Sequence, residues 1–78
     1  MVIRFIRWFE KDPDEAFIDE EIIDLPLPEL QQLFNRPETD QMYHCYPVKP
    51  SQVEKLQLAI SHKIDLNLYD YFVECDAD

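Results

Sequence analysis

Two cysteines and two histidines are the side chains of this sequence that could bind a soft metal or supply a nucleophile: Cys45, Cys75, His44 and His62. A structural zinc site needs four converging ligands, commonly with closely spaced cysteine pairs, and no C-x-x-C pair is present. His44 and Cys45 are neighbours in a predicted strand, so their side chains point to opposite faces. A Cys45–His62 nucleophile pair would need an orienting residue and an oxyanion loop, and neither is recognisable. We therefore expect both cysteines to be buried thiols that pack as small hydrophobic residues, and we expect no disulfide between them in a reducing cytoplasm.

The chain contains no glycine. Phosphate-binding loops, dinucleotide fingerprints and nucleophile elbows require glycine, because the backbone must turn tightly or approach a ligand closely. The acidic stretch 12–19 suggests calcium at first sight, but an EF-hand loop needs a central glycine, and Pro13 interrupts the pattern. These sites are excluded in their standard forms. We expect no catalytic residue, no cofactor and no metal site, and hence a protein that is not an enzyme.

Seventeen acidic residues against seven basic ones give the 78-residue chain a formal charge of −10. This charge repels nucleic acid and anionic membranes and favours a basic protein partner. No apolar run approaches the roughly 20 residues that a membrane-spanning helix needs, and the N-terminal segment lacks a signal-peptide pattern. We expect a single domain over residues 1–78, located in the cytoplasm, with neither nucleic acid nor membrane as a partner.

Acidic residues concentrate in two segments, one in the first hairpin and one near the end of the chain, where tyrosines alternate with them. Aromatic rings supply contact area in protein interfaces and charges steer association, so this mixture is typical of a binding surface. The alternative, which stays open, is a solvated acidic surface with the tyrosines in the core. The predicted partner-binding residues are Asp19, Glu20, Glu21, Asp24, Tyr69, Asp70 and Glu74.

Six predicted elements must position these residues. They are strands at 2–9 and 16–25, a helix from 28 to 35, a strand at 42–48, a helix from 50 to about 63 and a strand at 66–75. Ser51 and Glu54 predict a capping box at the start of the second helix. The tail 76–78 is expected to be frayed.

The character of the strands predicts how they assemble. The first strand is apolar on both faces, which favours an interior position or a second face that is partly covered. Its Arg4 and Arg7 are expected to pair with acids on the neighbouring strand. The second strand is acidic on both faces, which is typical of a sheet edge. The strand–helix–strand segment 42–75 is long enough for a right-handed crossover between parallel strands. The predicted fold is therefore α+β: a two-layer, four-stranded mixed sheet with both helices on one face, in the order β-β-α-β-α-β.

Three segments carry a resemblance to a known family: ELQQLF at 29–34, YHCYPV at 43–48 and YDYFVEC at 69–75. Together they resemble a family of small bacterial domains of unknown function, over nearly the whole chain. These motifs are structural in character, so the resemblance implies neither an activity nor functional residues. In type, the chain also resembles bacterial toxin-immunity proteins, which are small, acidic and cytoplasmic.

Three hypotheses of function follow from the sequence. The first is a small acidic protein-binding module, immunity- or inhibitor-like, whose acidic face covers a basic partner such as a nuclease toxin. The second is a self-associating structural or assembly domain, because the two-faced strand 2–9 could pair across a two-fold axis; the chain would then be a homodimer and not a monomer. The third is a small enzyme or metal protein that uses the cysteines and histidines.

Overall fold

The computed structural model describes residues 2–77. Its strands are β1 (Val2–Glu10), β2 (Phe17–Ile22), β3 (Tyr46–Pro47) and β4 (Tyr69–Ala77), and its helices are α1 (Leu27–Leu33) and α2 (Pro50–Gln57). The predicted α+β class and the element order are confirmed. The first two strands form the expected antiparallel hairpin.

The four strands form one sheet in the order β2-β1-β4-β3. As predicted, β1 lies in the interior and β2 at an edge. Every strand pair in the described range is antiparallel, including β3 with β4, where Tyr46 lies opposite Val73. The prediction of a mixed sheet with a parallel crossover is therefore wrong. The reason is that α2 ends at Gln57, and residues 58–68 reverse the chain before β4 begins.

The start of α2 also differs from its prediction. The N-cap residue is Lys49, whose backbone N–H donates to the side-chain oxygen of Gln52 at 2.9 Å. The backbone N–H of Gln52 in turn donates to the Lys49 carbonyl at 2.9 Å. The predicted capping box of Ser51 and Glu54 is wrong, because the helix begins before Ser51 and an amide side chain does the capping.

The end of α2 and the shortness of β3 each have a local cause. Gln57 ends the helix, since its amide donates to the His62 carbonyl at 2.8 Å and its oxygen accepts the Ile64 N–H at 2.8 Å. The predicted strand 42–48 is reduced to two residues, because Met42 has a left-handed backbone with φ of 54° and Pro47 has no N–H to donate. Much of the predicted strand is therefore a loop.

Both helices pack on one face of the sheet, as predicted. Alternate residues of β1 and β4 point toward the helices and form the core with them. Burial of each large apolar side chain stabilises the fold by about 1.5–3 kcal/mol. The largest fully buried side chains are Ile6, Tyr71 and Val73 in the sheet and Leu30, Met42 and Leu56 in the helices and loops.

Candidate binding face

The sheet face opposite the helices is covered by no second layer of helix or strand within residues 2–77. It is formed by the residues that alternate with the core residues along β1 and β4, together with their neighbours on β2. We call this surface the open face. Its residues are Ile3, Phe5, Arg7 and Phe9 of β1, Phe17, Glu20 and Ile22 of β2, and Asp70, Phe72, Glu74 and Asp76 of β4.

Aromatic rings form a continuous row at one end of the open face. Phe9 lies between Phe17 and Phe72, and its ring centroid is 5.7 Å from each, with edge-to-face geometry. The row reaches solvent at the sheet edge, where Phe17 is 54% exposed; Ile22, at the other end of β2, is 61% exposed. Three of the six exposed large hydrophobic residues in the described range lie on β2: these two and Ile18. The face therefore offers apolar area that the fold itself leaves uncovered.

Arg7 occupies the centre of the open face and binds three carboxylates. It donates to Glu20 at 2.7 Å, to Glu74 at 2.9 Å and to Asp76 at 2.6 Å. Its guanidinium carbon lies 4.5 Å from the centroid of the Phe5 ring, a cation–π contact. The predicted pairing with acids on the neighbouring strand is confirmed for Arg7, whereas Arg4 donates to the backbone carbonyl of Gln41 at 2.7 Å. One guanidinium against three carboxylates leaves this cluster with a formal charge of +1 − 3 = −2.

The protonation states of the Arg7 cluster follow from these contacts. The hydrogen bond to Asp76, reinforced by those to Glu20 and Glu74, raises the pKa of Arg7 above its usual value. The same hydrogen bond lowers the pKa of Asp76 below its usual value. Asp76 was expected to lie in a frayed tail, and this is wrong, because β4 extends to Ala77; Asp78 lies outside the described residues.

A depression of about 230 Å³ adjoins the aromatic row. It is lined by Phe9, Glu15, Cys45, Asp70, Phe72 and Glu74. Glu15 comes from the turn between β1 and β2, and Cys45 precedes β3, so the depression joins the open face to two connecting segments.

The structure divides the predicted partner-binding residues between the two sides of the sheet. Glu20, Asp70 and Glu74 lie on the open face, where β1 separates the two acidic segments and Arg7 brings Glu20 and Glu74 together. Asp70 pairs with Lys11 at 3.0 Å. These three come from both segments that the sequence singled out.

The other four predicted residues lie elsewhere. Glu21 accepts the backbone N–H groups of Ser61 at 2.8 Å and His62 at 2.6 Å, so it fastens the loop after α2 to β2. Tyr69 packs against the core, with its ring centroid 6.3 Å from that of a buried tyrosine. Asp24 is exposed beyond the end of β2. Asp19 is exposed on the edge strand β2.

Asp19 accepts a backbone hydrogen bond on the outer edge of the sheet. Along an antiparallel pair, hydrogen-bonded and non-bonded residue pairs alternate. The Ile23 N–H donates to the Arg4 carbonyl at 2.9 Å, so the backbone groups of Glu20 point away from β1. The outward N–H of Glu20 donates to the Asp19 carboxylate at 2.8 Å. One backbone N–H group on the outer edge of β2 is therefore already hydrogen-bonded to a side chain of the same strand.

Cys45 and His62 are not brought together. His62 stacks on Trp8 with ring centroids 3.9 Å apart, and its Nε2 lies 2.7 Å from the Tyr71 hydroxyl, on the helix side. The Cys45 thiol instead lies 3.4 Å from a carboxylate oxygen of Glu74. Partial desolvation of the sulfur, together with this carboxylate, raises the pKa of Cys45 to about 11, so the thiol stays protonated near neutral pH.

Both cysteines are free thiols. The prediction that they are buried is wrong, because Cys45 is exposed and Cys75 is only half-buried. Within the described residues, no group of three or more histidine, cysteine, aspartate or glutamate side chains is placed to hold a metal ion. No helix in the same range is long and apolar enough to cross a membrane.

Sequence reasoning missed part of the open face: Phe9, Phe72 and Asp76. The signal that could have found them is the period-two alternation of β1 and β4, which puts every second residue on the face away from the core. In the register of β1 with β4, Phe72 lies opposite Arg7. Asp76 lies four residues further along β4 and therefore on the same face.

Comparison of the sequence with known protein families assigns the chain to one family. Residues 3–74 match the model of the family described as Domain of unknown function (DUF7683). The chain belongs to this family, and the resemblance to a family of uncharacterised domains is confirmed. No curated protein matches the chain.

Proposed function

We propose that this chain is a protein-binding module of the immunity- or inhibitor-like kind, and that its open face docks on a basic partner protein. The observation that carries the proposal is a sheet face that is aromatic at one end, acidic around Arg7, and without a covering layer in the described range. Protein interfaces commonly combine an apolar, aromatic centre with a polar rim.

The charge of the open face supports a basic partner. The Arg7 cluster keeps a formal charge of −2, and the whole chain carries −10. Such a field accelerates association with a positively charged protein and disfavours acidic competitors. A nuclease toxin, which must itself carry positive charge to bind nucleic acid, is a partner of fitting chemistry.

The chemistry of the side chains supports binding without catalysis. The Cys45 thiol is held in its protonated form by a raised pKa of about 11, and His62 is engaged by Trp8 and Tyr71 in the core. Two free cysteines suit a reducing compartment, which supports the cytoplasm as the place where the protein acts.

Self-association through the open face is the rival function, because the same apolar area could pair across a two-fold axis. Such a pairing would bring two Arg7 clusters together, each with a formal charge of −2, and would do so without a compensating cation. Like charges that face each other disfavour the dimer. A basic partner is therefore preferred, and light scattering at micromolar concentration separates the two: a dimer would favour the rival.

The experiment compares two matched double variants as immobilised bait. Phe17→Ser with Ile22→Ser removes apolar area from the open face. Leu58→Ser with Leu68→Ser removes exposed apolar residues outside it, since these are 83% and 61% exposed. Proteins from the source cells are retained on each bait at about 50 mM and about 500 mM salt and identified by mass spectrometry.

We expect one basic protein to be enriched on the wild type and on the Leu58/Leu68 variant at low salt. We expect it to be lost from the Phe17/Ile22 variant and weakened on every bait at high salt. Equal retention by the two variants would mean that the open face is not the docking surface.

A further inference from the structure

We infer that the depression beside the aromatic row accepts an arginine side chain of the partner. The inference rests on the proposed function and narrows it, because it names the anchor residue that the partner presents. We call this place the arginine pocket; its residues are Phe9, Glu15, Cys45, Asp70, Phe72 and Glu74.

The apolar part of the pocket consists of two phenylalanine rings. Phe9 and Phe72 pack edge to face at 73° and 5.7 Å, and both are half-buried in the face of the sheet. Aromatic surfaces attract cations through the electron-rich faces of their rings, and a guanidinium can stack on them. The rings thus offer a floor for the side chain of an incoming cation.

The polar part of the pocket is acidic. Asp70 and Glu74 stand two residues on either side of Phe72 along β4, so their side chains share its face. Glu15 adds a third carboxylate from the turn before β2. One oxygen of Glu74 binds Arg7, and the other receives, from the described residues, only the weak thiol donor of Cys45 at 3.4 Å. An N–H of a guanidinium is a stronger donor and would replace the thiol.

The same face already binds one arginine in this way. Arg7 lies over the ring of Phe5 and donates to carboxylates of β2 and β4. The pocket repeats this chemistry with Phe9 and Phe72 in place of Phe5, but no guanidinium of the described residues fills it. Lys11 is engaged with Asp70, one of the lining residues, at 3.0 Å.

Arginine fits this chemistry better than lysine. The guanidinium is planar, is more weakly hydrated than an ammonium, and presents five donors that can engage two carboxylates while it lies on a ring. A lysine ammonium makes a compact charge contact without stacking. The pocket should therefore bind arginine more tightly than lysine. It should bind a neutral group of arginine's shape most weakly of the three.

The test is a titration of the full chain, labelled with ¹⁵N, by three small probes. They are N-acetyl-arginine amide, N-acetyl-lysine amide and N-acetyl-citrulline amide, in which citrulline keeps the shape of arginine without its charge. We expect the arginine probe to shift the backbone amide signals of Phe9, Asp70 and Phe72 in a saturable manner. We expect the lysine probe to bind about threefold to tenfold more weakly and the citrulline probe to give no saturable shift.

Three variants and one matched control complete the test. Asp70→Asn, Glu15→Gln and Phe72→Leu should each weaken arginine binding by about threefold to tenfold. Glu54→Gln removes the same charge from an exposed position on α2 and should leave the affinity unchanged. Glu15 lies in an exposed turn, so its variant reports on binding even if Phe72→Leu fails to fold.

Two results would overturn the inference. One is a citrulline probe that binds as tightly as the arginine probe. The other is a set of pocket variants that behave like Glu54→Gln, which would mean that arginine merely responds to the total charge. If the probes fail in this way while Phe17→Ser with Ile22→Ser still abolishes partner retention, the open face remains the docking surface and only the pocket is refuted.

Discussion

Replacement of Arg7 by methionine is the most informative perturbation of the open face. Methionine keeps an unbranched side chain over Phe5 but removes the guanidinium that joins β2, β1 and β4. Three carboxylates, at 2.6–2.9 Å from the guanidinium in the wild type, are then left without a counter-charge. We expect a folded but destabilised protein.

The expected loss of stability follows from the solvent exposure of Arg7 and of its three carboxylate partners. The Arg7 side chain is only 16% exposed, whereas the carboxylate side chains range from 24% for Glu74 to 58% for Asp76. Partly exposed ion pairs contribute about 0.2–1 kcal/mol each, so the three together give about 1–3 kcal/mol. In a domain of this size that corresponds to a decrease of roughly 5–20 °C in Tm.

The difference in stability between wild type and Arg7→Met should depend on pH. Asp76 has a pKa below its usual value in the folded state, so its contribution is present above the unfolded pKa and is lost as pH falls through the folded pKa. Wild type should therefore lose more stability than Arg7→Met on acidification below about pH 4. The gap between the two proteins should be widest near neutral pH and should shrink in acid.

Urea denaturation monitored by tryptophan fluorescence at pH 7 and at about pH 3 measures this gap. Lys11→Met is the control, because it removes one cation from an exposed pair with Asp70, and its cost should stay below about 1 kcal/mol. The reasoning is refuted if Arg7→Met costs no more than Lys11→Met at neutral pH, or if the gap persists unchanged in acid.

Three further predictions concern the contacts around the sheet. Glu21→Ala leaves two backbone donors without their acceptor, including the His62 N–H, and should cost about 1–3 kcal/mol in urea denaturation, with faster hydrogen exchange at His62; unchanged exchange would contradict this role. Tyr71→Phe removes the hydroxyl 2.7 Å from His62 Nε2 and should cost about 1–2 kcal/mol, and a cost near zero would argue against that bond. In a Cys75→Ser background, alkylation of Cys45 by iodoacetamide should rise with pH toward an apparent pKa of about 11, and Glu74→Gln should lower it; half-maximal alkylation near pH 8 in both would refute the raised pKa.

Some features of the sheet could be predicted from the local sequence pattern, and others could not. Apolar residues on both faces of 2–9 correctly predicted an interior strand, and the acidic second strand correctly predicted an edge. The direction of β3 against β4 could not be obtained in this way. It depends on the loop 58–68, which is held at its start by Gln57 and from across the sheet by Glu21, and Glu21 lies 40 residues before Ser61 in the sequence.

The open face was predictable only in part for a similar reason. The sequence identified Glu20 and Glu74 as members of two separate acidic segments, but their meeting at Arg7 requires β1 to lie between β2 and β4. Glu21 shows the opposite case. Its charge looked like part of a binding surface, yet its position one residue along the strand sends it to the helix side, where it receives two backbone donors.

The hydrogen bond from the Glu20 N–H to the Asp19 carboxylate has a consequence for the protein at high concentration. Fibrils grow when an unpaired strand recruits identical strands from other chains, and β2 is a six-residue strand with exposed Phe17 and Ile22. A copy aligned against it would have to break this internal bond and place Asp19 and Glu20 against their own equivalents. The bond thus helps an edge strand with exposed apolar side chains to resist polymerisation.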